Sequence, residues 1–189
     1  MRLIVIGCLS VLLSITVLAQ KKFDKALAKA DKSYNNGDYA KALKALAKYK
    51  SMVTSKLGPS NASMPGYHTR FAKYNLAYGV LTNFQSSLDQ ALTISTSVFG
   101  EQTVNHASTL IEVAEVFNQY GYYRKSRELL DQANDIVNKA EQVDPIIKTK
   151  LILERAEAMI GQGFCNDALS LLRANESFLA GRAVDKETS

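Results

Sequence analysis

The sequence predicts an all-α fold built as a solenoid of four antiparallel helix pairs, and three repeating columns of residues predict it. A glycine recurs every 42 residues, an alanine stands seven residues before each glycine, and a leucine stands nine residues after it. Because the chain holds only 10 glycines in 189 residues, this spacing indicates four copies of one unit. The columns are Ala30, Ala72, Ala114 and Ala156; Gly37, Gly79, Gly121 and Gly163; and Leu46, Leu88, Leu130 and Leu172.

The columns also predict the helices of each unit. A glycine between two amphipathic runs can take the left-handed conformation that ends a helix, the alanine lets a second helix approach closely, and the leucine fills the seam. Asp144 and Pro145 suit the cap and the first turn of a helix. We expect first helices over 22–35, 65–78, 106–120 and 145–161, and second helices over 38–56, 80–98, 122–141 and 164–179.

Two further columns are imperfect and identify the irregular units. The position five residues after the glycine holds small residues in three units, whereas Phe84 occupies it in unit 2, so we expect irregular packing there. The position two residues after the glycine holds Tyr39, Leu81 and Tyr123 and then Cys165, which we interpret as a buried, small apolar residue.

Residues 1–19 differ from the rest and predict export. Arg2 is followed by an uncharged apolar run over residues 3–19, and Ala19 precedes a plausible cleavage point at Gln20, as in a secretory signal peptide. An uncleaved membrane anchor and a lipoprotein box ending at Cys8 are the alternatives. The predicted location is the periplasm or cell envelope, with secretion or membrane anchoring as alternatives.

The carboxy-terminal end predicts an incomplete solenoid. We divide the chain into a signal peptide over 1–19, a repeat domain over 20–180 and a polar tail over 181–189 without a further helix. Solenoids usually cover their last repeat with a solvating helix. The apolar side of helix 164–179 is therefore expected to meet a partner, another copy of the chain, or sequence that continues beyond Ser189.

The repeat unit resembles the tetratricopeptide repeat (TPR), on the residues Ala30, Gly37, Tyr39, Ala42 and Leu46. Its 42-residue period and the junction "ALTISTSVFGEQTVNHA" resemble the kinesin-light-chain-like subtype. The resemblance implies a right-handed superhelix whose concave groove, lined by the first helices, binds a protein or an extended peptide.

The resemblance also implies which side chains face that groove, although the same positions can pack between neighbouring units instead. The column Leu27, Thr69, Ile111 and Leu153 lacks the basic and amide clamp of chaperone-binding members, so no chaperone-tail binding is predicted. The groove candidates are Asp31, Tyr34, Asn35, Thr69, Lys73, Glu115, Asn118, Gln119 and Glu157, with Lys150 and Ile160 among further positions.

Charge is concentrated in the first unit. Between Gln20 and Gly58 the chain carries ten lysines and three aspartates, and the lysines form one stripe on each helix. A solvated outer face is the simple interpretation, and contact with an anionic surface or an acidic partner is the alternative. Nucleic acid is disfavoured by the export signal and by the lack of aromatic residues within these stripes.

No catalytic constellation, cofactor motif or metal set is found in the sequence. His68 and His106 stand apart from other ligand-type residues, and Cys165 is the one thiol of the mature chain. We therefore expect an exported, non-enzymatic scaffold that binds a protein or peptide, in a complex associated with the cell envelope. The alternative is the sensory or interaction region of a larger envelope signalling protein, such as a histidine kinase or a cyclase.

Overall fold

The computed structural model describes residues 21–187, with side chains to residue 181, and this part of the chain is helical throughout, apart from turns and short linkers. The predicted signal peptide lies outside the described residues. Four units follow one another, each a first and a second helix, and a ninth helix ends the described chain. The helices are α1 (21–35), α2 (Tyr39–Leu57), α3 (Met64–Ala77), α4 (Phe84–Phe99), α5 (Val104–Gln119), α6 (Tyr123–Lys139), α7 (Pro145–Gly161), α8 (Cys165–Ala174) and α9 (Glu176–Glu187).

The four periodic glycines end the first helices in the same way. All four have positive φ, between 78° and 85°. In unit 1 the Gly37 N–H donates to the Tyr34 carbonyl and the Asp38 N–H donates to the Ser33 carbonyl, both at 2.9 Å. This is the Schellman arrangement, and the same two bonds recur at each of the other three glycines. The predicted helix–turn–helix unit is confirmed.

The alanine and leucine columns form the seam inside the units. All four alanines are buried, and so are Leu46, Leu88 and Leu130. Leu172 is only half-buried, because no further unit packs on α8 in the described part of the chain. The buried residues form two clusters, one joining units 1 and 2 and the other running from α3 to α7.

Unit 2 is irregular at the predicted place. Ala42 and Ser126 are fully buried where their second helices meet the first ones, and a phenylalanine ring in the same position needs more room. Here α4 begins at Phe84 rather than near residue 80, and Asn83 before it has a left-handed φ of 64°. Leu81 is consequently exposed in the lengthened turn.

The carboxy-terminal prediction was wrong in two respects. The last second helix does not end in a polar tail, because after a one-residue interruption at Asn175 helix α9 continues to Glu187. The Leu179 N–H donates to the Asn175 carbonyl at 3.0 Å, which keeps the helical ladder across the break. Cys165 is exposed rather than buried. Its counterpart Tyr123 packs on Gly161 of the following unit, and no described helix takes that place beside Cys165.

Candidate partner-binding groove

The first helices of all four units line one cavity, as predicted for a concave groove. Its volume is about 300 Å³, and α1, α3, α5 and α7 each contribute side chains. The turns hold these helices side by side, so residues about 42 positions apart become neighbours. We call this cavity the groove; it is lined by Asp31, Tyr34, Asn35, Thr69, Arg70, Lys73, Tyr74, Glu112, Glu115, Val116 and Lys150.

At the unit 1 end of the groove, Asp31 is held by two groups from unit 2. The Arg70 Nε donates to the Asp31 carboxylate at 2.9 Å, and the Tyr74 hydroxyl donates to the same oxygen. Burial raises the pKa of Tyr74, and its hydrogen bond to Asp31 raises it further, so the phenol stays protonated and acts as a donor. This end of the groove is therefore fixed by a charge-assisted network.

In the middle of the groove, Glu115 joins three units. It accepts from Lys73 of α3 and from Lys150 of α7, with both nitrogen–oxygen distances 2.6 Å. Burial alone would raise the pKa of Glu115, but the two ammonium groups outweigh burial and lower it. Since these side chains remain partly exposed, the network contributes more to alignment than to stability.

Tyr34 provides an aromatic surface beside these charges. Its ring stacks on Tyr74 with centroids 4.5 Å apart and an interplanar angle of 17°. Lys73 places its ammonium nitrogen 5.4 Å from the Tyr34 ring centroid, a cation–π contact. Burial raises the pKa of Tyr34, with Tyr39 and Glu115 adding smaller effects in the same direction. A half-buried ring and a charged head therefore lie side by side.

Six of the nine predicted groove residues line the cavity, and three lie elsewhere. Asn118 is buried between units, where its amide nitrogen donates to the backbone carbonyl and the carboxylate of Glu154. Gln119 is exposed and donates to Glu115 at 3.2 Å, and Glu157 is exposed beyond the cavity. The six in the cavity are Asp31, Tyr34, Asn35, Thr69, Lys73 and Glu115.

The sequence prediction missed Arg70, Tyr74, Glu112 and Val116. Arg70 pairs with Asp31 across 39 positions, and Lys150 pairs with Glu115 across 35 positions. These separations equal the repeat period less about one or two helical turns. Opposite charges at such separations are the signal that could have identified Arg70.

A buried serine–histidine contact joins α4 and α5 outside the residues that line the groove. The Ser95 hydroxyl lies 2.9 Å from His106 Nδ1 and 3.0 Å from the Thr109 hydroxyl. Burial lowers the pKa of His106. A cavity of about 430 Å³ adjoins His106, but Ser95 is fully buried and does not line it. The contact therefore serves packing between α4 and α5.

The described residues, 21–187, contain no group of three or more metal-ligating side chains. No helix among them combines the length and the apolar composition needed to cross a membrane.

The chain is similar in fold to solved TPR-like proteins. Two crystal structures of a protein from Podosopora anserina, assigned as a kinesin light chain with nearly identical TPR-like repeats, match it at 20% identity and a TM-score of 0.64, covering 86% of this chain and 75% of that one. BtubC (BKLC) from P. vanneervenii matches at 14% identity and a TM-score of 0.66, covering 85% of this chain and 64% of that one.

Sequence comparisons add no closer assignment. No protein-family model matches the chain, and no curated protein matches it. At these identities the structural matches establish the fold alone, and the fold is a TPR-like α-solenoid.

Proposed function

We propose that this protein is a non-enzymatic scaffold that binds a protein or peptide segment along the groove. The observation that carries the proposal is the groove itself, in which four successive first helices present charged, amide and tyrosine groups to one cavity. A segment lying across them meets a recognition group in each unit, as in peptide recognition by stacked helical repeats. The TPR-like fold of the structural neighbours supports a protein partner.

The charges of the groove indicate the chemistry of the partner. Asp31, Arg70, Lys73, Glu115 and Lys150 are paired with one another. Glu112, the remaining carboxylate of the cavity, lies close enough to Arg70 to help raise the pKa of that guanidinium, but it forms no ion pair within 4 Å with any of the described residues. We infer that a bound segment places a lysine or arginine at Glu112 and uses the exposed Asn35 amide for backbone contacts.

Site-specific photo-crosslinking tests the groove. A photoreactive residue at Asn35 should capture a partner in extracts of the source cell, whereas the same residue at Gln90, exposed on α4 outside the cavity and outside the first unit, should not. Tyr34→Ala and Lys73→Ala should weaken capture at least tenfold. Lys73→Ala leaves Glu115 paired with Lys150, so the groove keeps its shape. Equal capture from Asn35 and Gln90, or capture that survives both substitutions, would refute the groove assignment.

We further propose that the chain is exported and acts in a complex associated with the cell envelope. The support is the sequence of residues 1–19, with its basic start, apolar run and small-residue cleavage point. Mass spectrometry of the protein from its source cell should find a mature amino terminus at Gln20. An intact Met1 in a membrane fraction would indicate the anchored alternative.

The lysine-rich first unit suggests a second contact, with an anionic surface. Its lysines are exposed on both helices, so attraction to a negative surface should fall steeply with salt. Co-sedimentation with vesicles containing anionic lipid should be strong at low salt and lost at high salt. Binding that does not change with salt would exclude this contact.

A further inference from the structure

The fourth unit exposes apolar side chains at positions that are buried in the third. Ile111 is 1% exposed and Asn118 is 2% exposed, because α7 of the next unit covers them. Their counterparts 42 residues later, Leu153 and Ile160, are 49% and 54% exposed. Since the repeat fixes which side each position faces, these side chains face the place where a fifth unit would pack.

Helix α8 extends this apolar surface. Cys165 and Leu169 are both exposed. Cys165 is the counterpart of Tyr123, which packs on Gly161, and Leu169 is the counterpart of Arg127, which lies over the Phe164 ring of the following unit. Both positions thus face a following unit. Glu157, Arg173 and Glu176 share this side, because their counterparts Glu115, Asp131 and Asn134 contact Lys150 and Arg155 of the following unit. We call Leu153, Ile160, Cys165 and Leu169 the terminal face.

Helix α9 leaves the terminal face open. It continues the second helix of unit 4, and its Phe178 ring lies 5.0 Å from the Lys148 ammonium group of α7. Positions 148 and 178 correspond to His106 and Ile136 in unit 3, which both line the second cavity, of about 430 Å³. Phe178 therefore packs back within unit 4.

At the opposite end of the solenoid, unit 1 exposes a row of lysine side chains. In unit 2, Met64, Tyr67 and Tyr74 are buried against unit 1, and Phe71 packs against the same cluster. Their counterparts in unit 1, 42 residues earlier, are Lys22, Lys25, Lys29 and Lys32, all exposed. We call these four residues the lysine end.

We propose that two copies of the chain associate through their terminal faces, related by a two-fold axis. Stacking the terminal face of one copy on the lysine end of another would bury four ammonium groups against leucine and isoleucine, which is strongly unfavourable. Two terminal faces offer each other apolar surface instead, bordered by the exposed charges of Glu157, Arg173 and Glu176, and a two-fold contact closes after two copies. The lysine ends then remain in water at the two outer tips of the dimer.

Analytical ultracentrifugation of the mature chain, which begins at Gln20, tests the proposal. The expected result is a reversible monomer–dimer equilibrium at micromolar to tens-of-micromolar concentration. Leu153→Asp, Ile160→Asp and Leu169→Asp should each weaken association at least tenfold, and since all three side chains are exposed the variants should keep their helical signal. Lys25→Glu, at the lysine end, is the matched control and should leave association unchanged.

A thiol crosslinker supplies a second readout. A flexible bismaleimide should join two mature chains through Cys165, their one thiol, and Leu153→Asp should prevent that joining. A monomer at all concentrations, or association that responds to Lys25→Glu and not to Leu153→Asp, would overturn the proposal. So would a mass that grows without limit, because a head-to-tail contact does not close. A native reading frame that adds a fifth unit would also overturn it by covering the face.

Discussion

The outer end of unit 1 presents a row of lysines, whereas the outer end of unit 4 presents leucine, isoleucine and cysteine bordered by Glu157, Arg173 and Glu176. The two end units share the alanine and glycine columns and the same Schellman turn, so the local fold does not distinguish them. The two units differ in the side chains that they expose at the ends of the solenoid. Unit 1 presents exposed charges at its outer end, and unit 4 presents exposed apolar side chains.

The comparison shows that equivalent positions in different repeats can differ in how far their side chains are buried. The repeat decides which way a side chain points, and the adjoining unit decides whether it is covered. The same leucine or tyrosine position can therefore be core in one unit and surface in the next. Substitutions at matched positions 42 residues apart can test that statement.

The largest expected effect is the difference between Leu130→Ala and Leu172→Ala. Leu130 is fully buried in the seam of unit 3, so its truncation should lower the free energy of unfolding by about 2–5 kcal/mol. Leu172 is half-buried in the open unit 4, so the same change should cost about 1 kcal/mol or less. Urea denaturation measures both, and equal losses would show that unit 4 is covered in solution.

His68 predicts a pH-dependent loss at the junction of units 1 and 2. Burial, followed by the nearby Lys50 charge, lowers its pKa to about 4 from an ordinary 6.5. Between pH 6.5 and pH 4 the His68 imidazole is protonated in the unfolded chain and neutral in the folded chain. Stability should therefore fall as the pH drops from 6.5 to 4, by at most about 3 kcal/mol.

Leu110 and Ile152 occupy the column of His68 in units 3 and 4, so His68→Leu gives a matched control. The variant should lose most of this pH dependence in urea denaturation at pH 7, 6 and 5. A smaller slope should remain from His106, whose pKa is also lowered by burial. An unchanged pH profile would mean that the His68 ring titrates normally.

Gly161→Ala tests how an interior unit is covered. A Cβ atom at Gly161 would lie 2.4 Å from the Tyr123 ring, so the ring would have to move, at a cost of about 1–3 kcal/mol. Adding Tyr123→Leu should recover part of that loss in thermal denaturation. At Cys165, the counterpart of Tyr123, Cys165→Ala should have almost no effect, since no described helix covers it. Additive losses for Gly161→Ala and Tyr123→Leu would contradict the proposed contact.

The sequence predicted the units and their turns well because these depend on local chemistry. A glycine with positive φ at Gly37 ends α1 whatever surrounds it, and its three counterparts do the same. Phe84 predicted the irregular start of α4, because its ring is too large for a position that is buried in the other units.

The groove and the chain end were predicted less well because they depend on how units meet. Asn118 and Asp31 lie on the same kind of helix face, yet Asn118 is buried by the next unit and Asp31 lines the groove. The pairing of Arg70 with Asp31 depends on the stagger between α1 and α3, which one unit's sequence does not contain. Cys165 was expected in a core that requires a following unit.

The smallest expected change in stability comes from converting the lysine end into an interior surface. Lys25→Tyr and Lys29→Phe together copy the residues of unit 2 into unit 1. Both lysines are exposed, so the free energy of unfolding should change by no more than about 0.5 kcal/mol. The assembly state should nevertheless change, because the chain would then expose apolar surface at both ends.

Head-to-tail stacking does not close, so sedimentation of this double variant should show masses above the dimer that increase with concentration. Lys44→Tyr, on the side of α2, adds apolar surface away from the ends and should not produce this growth. A double variant that behaves like the parent chain would show that the lysines do not limit stacking. The asymmetry between the two ends would then reflect composition alone, and the case against head-to-tail stacking would fail with it.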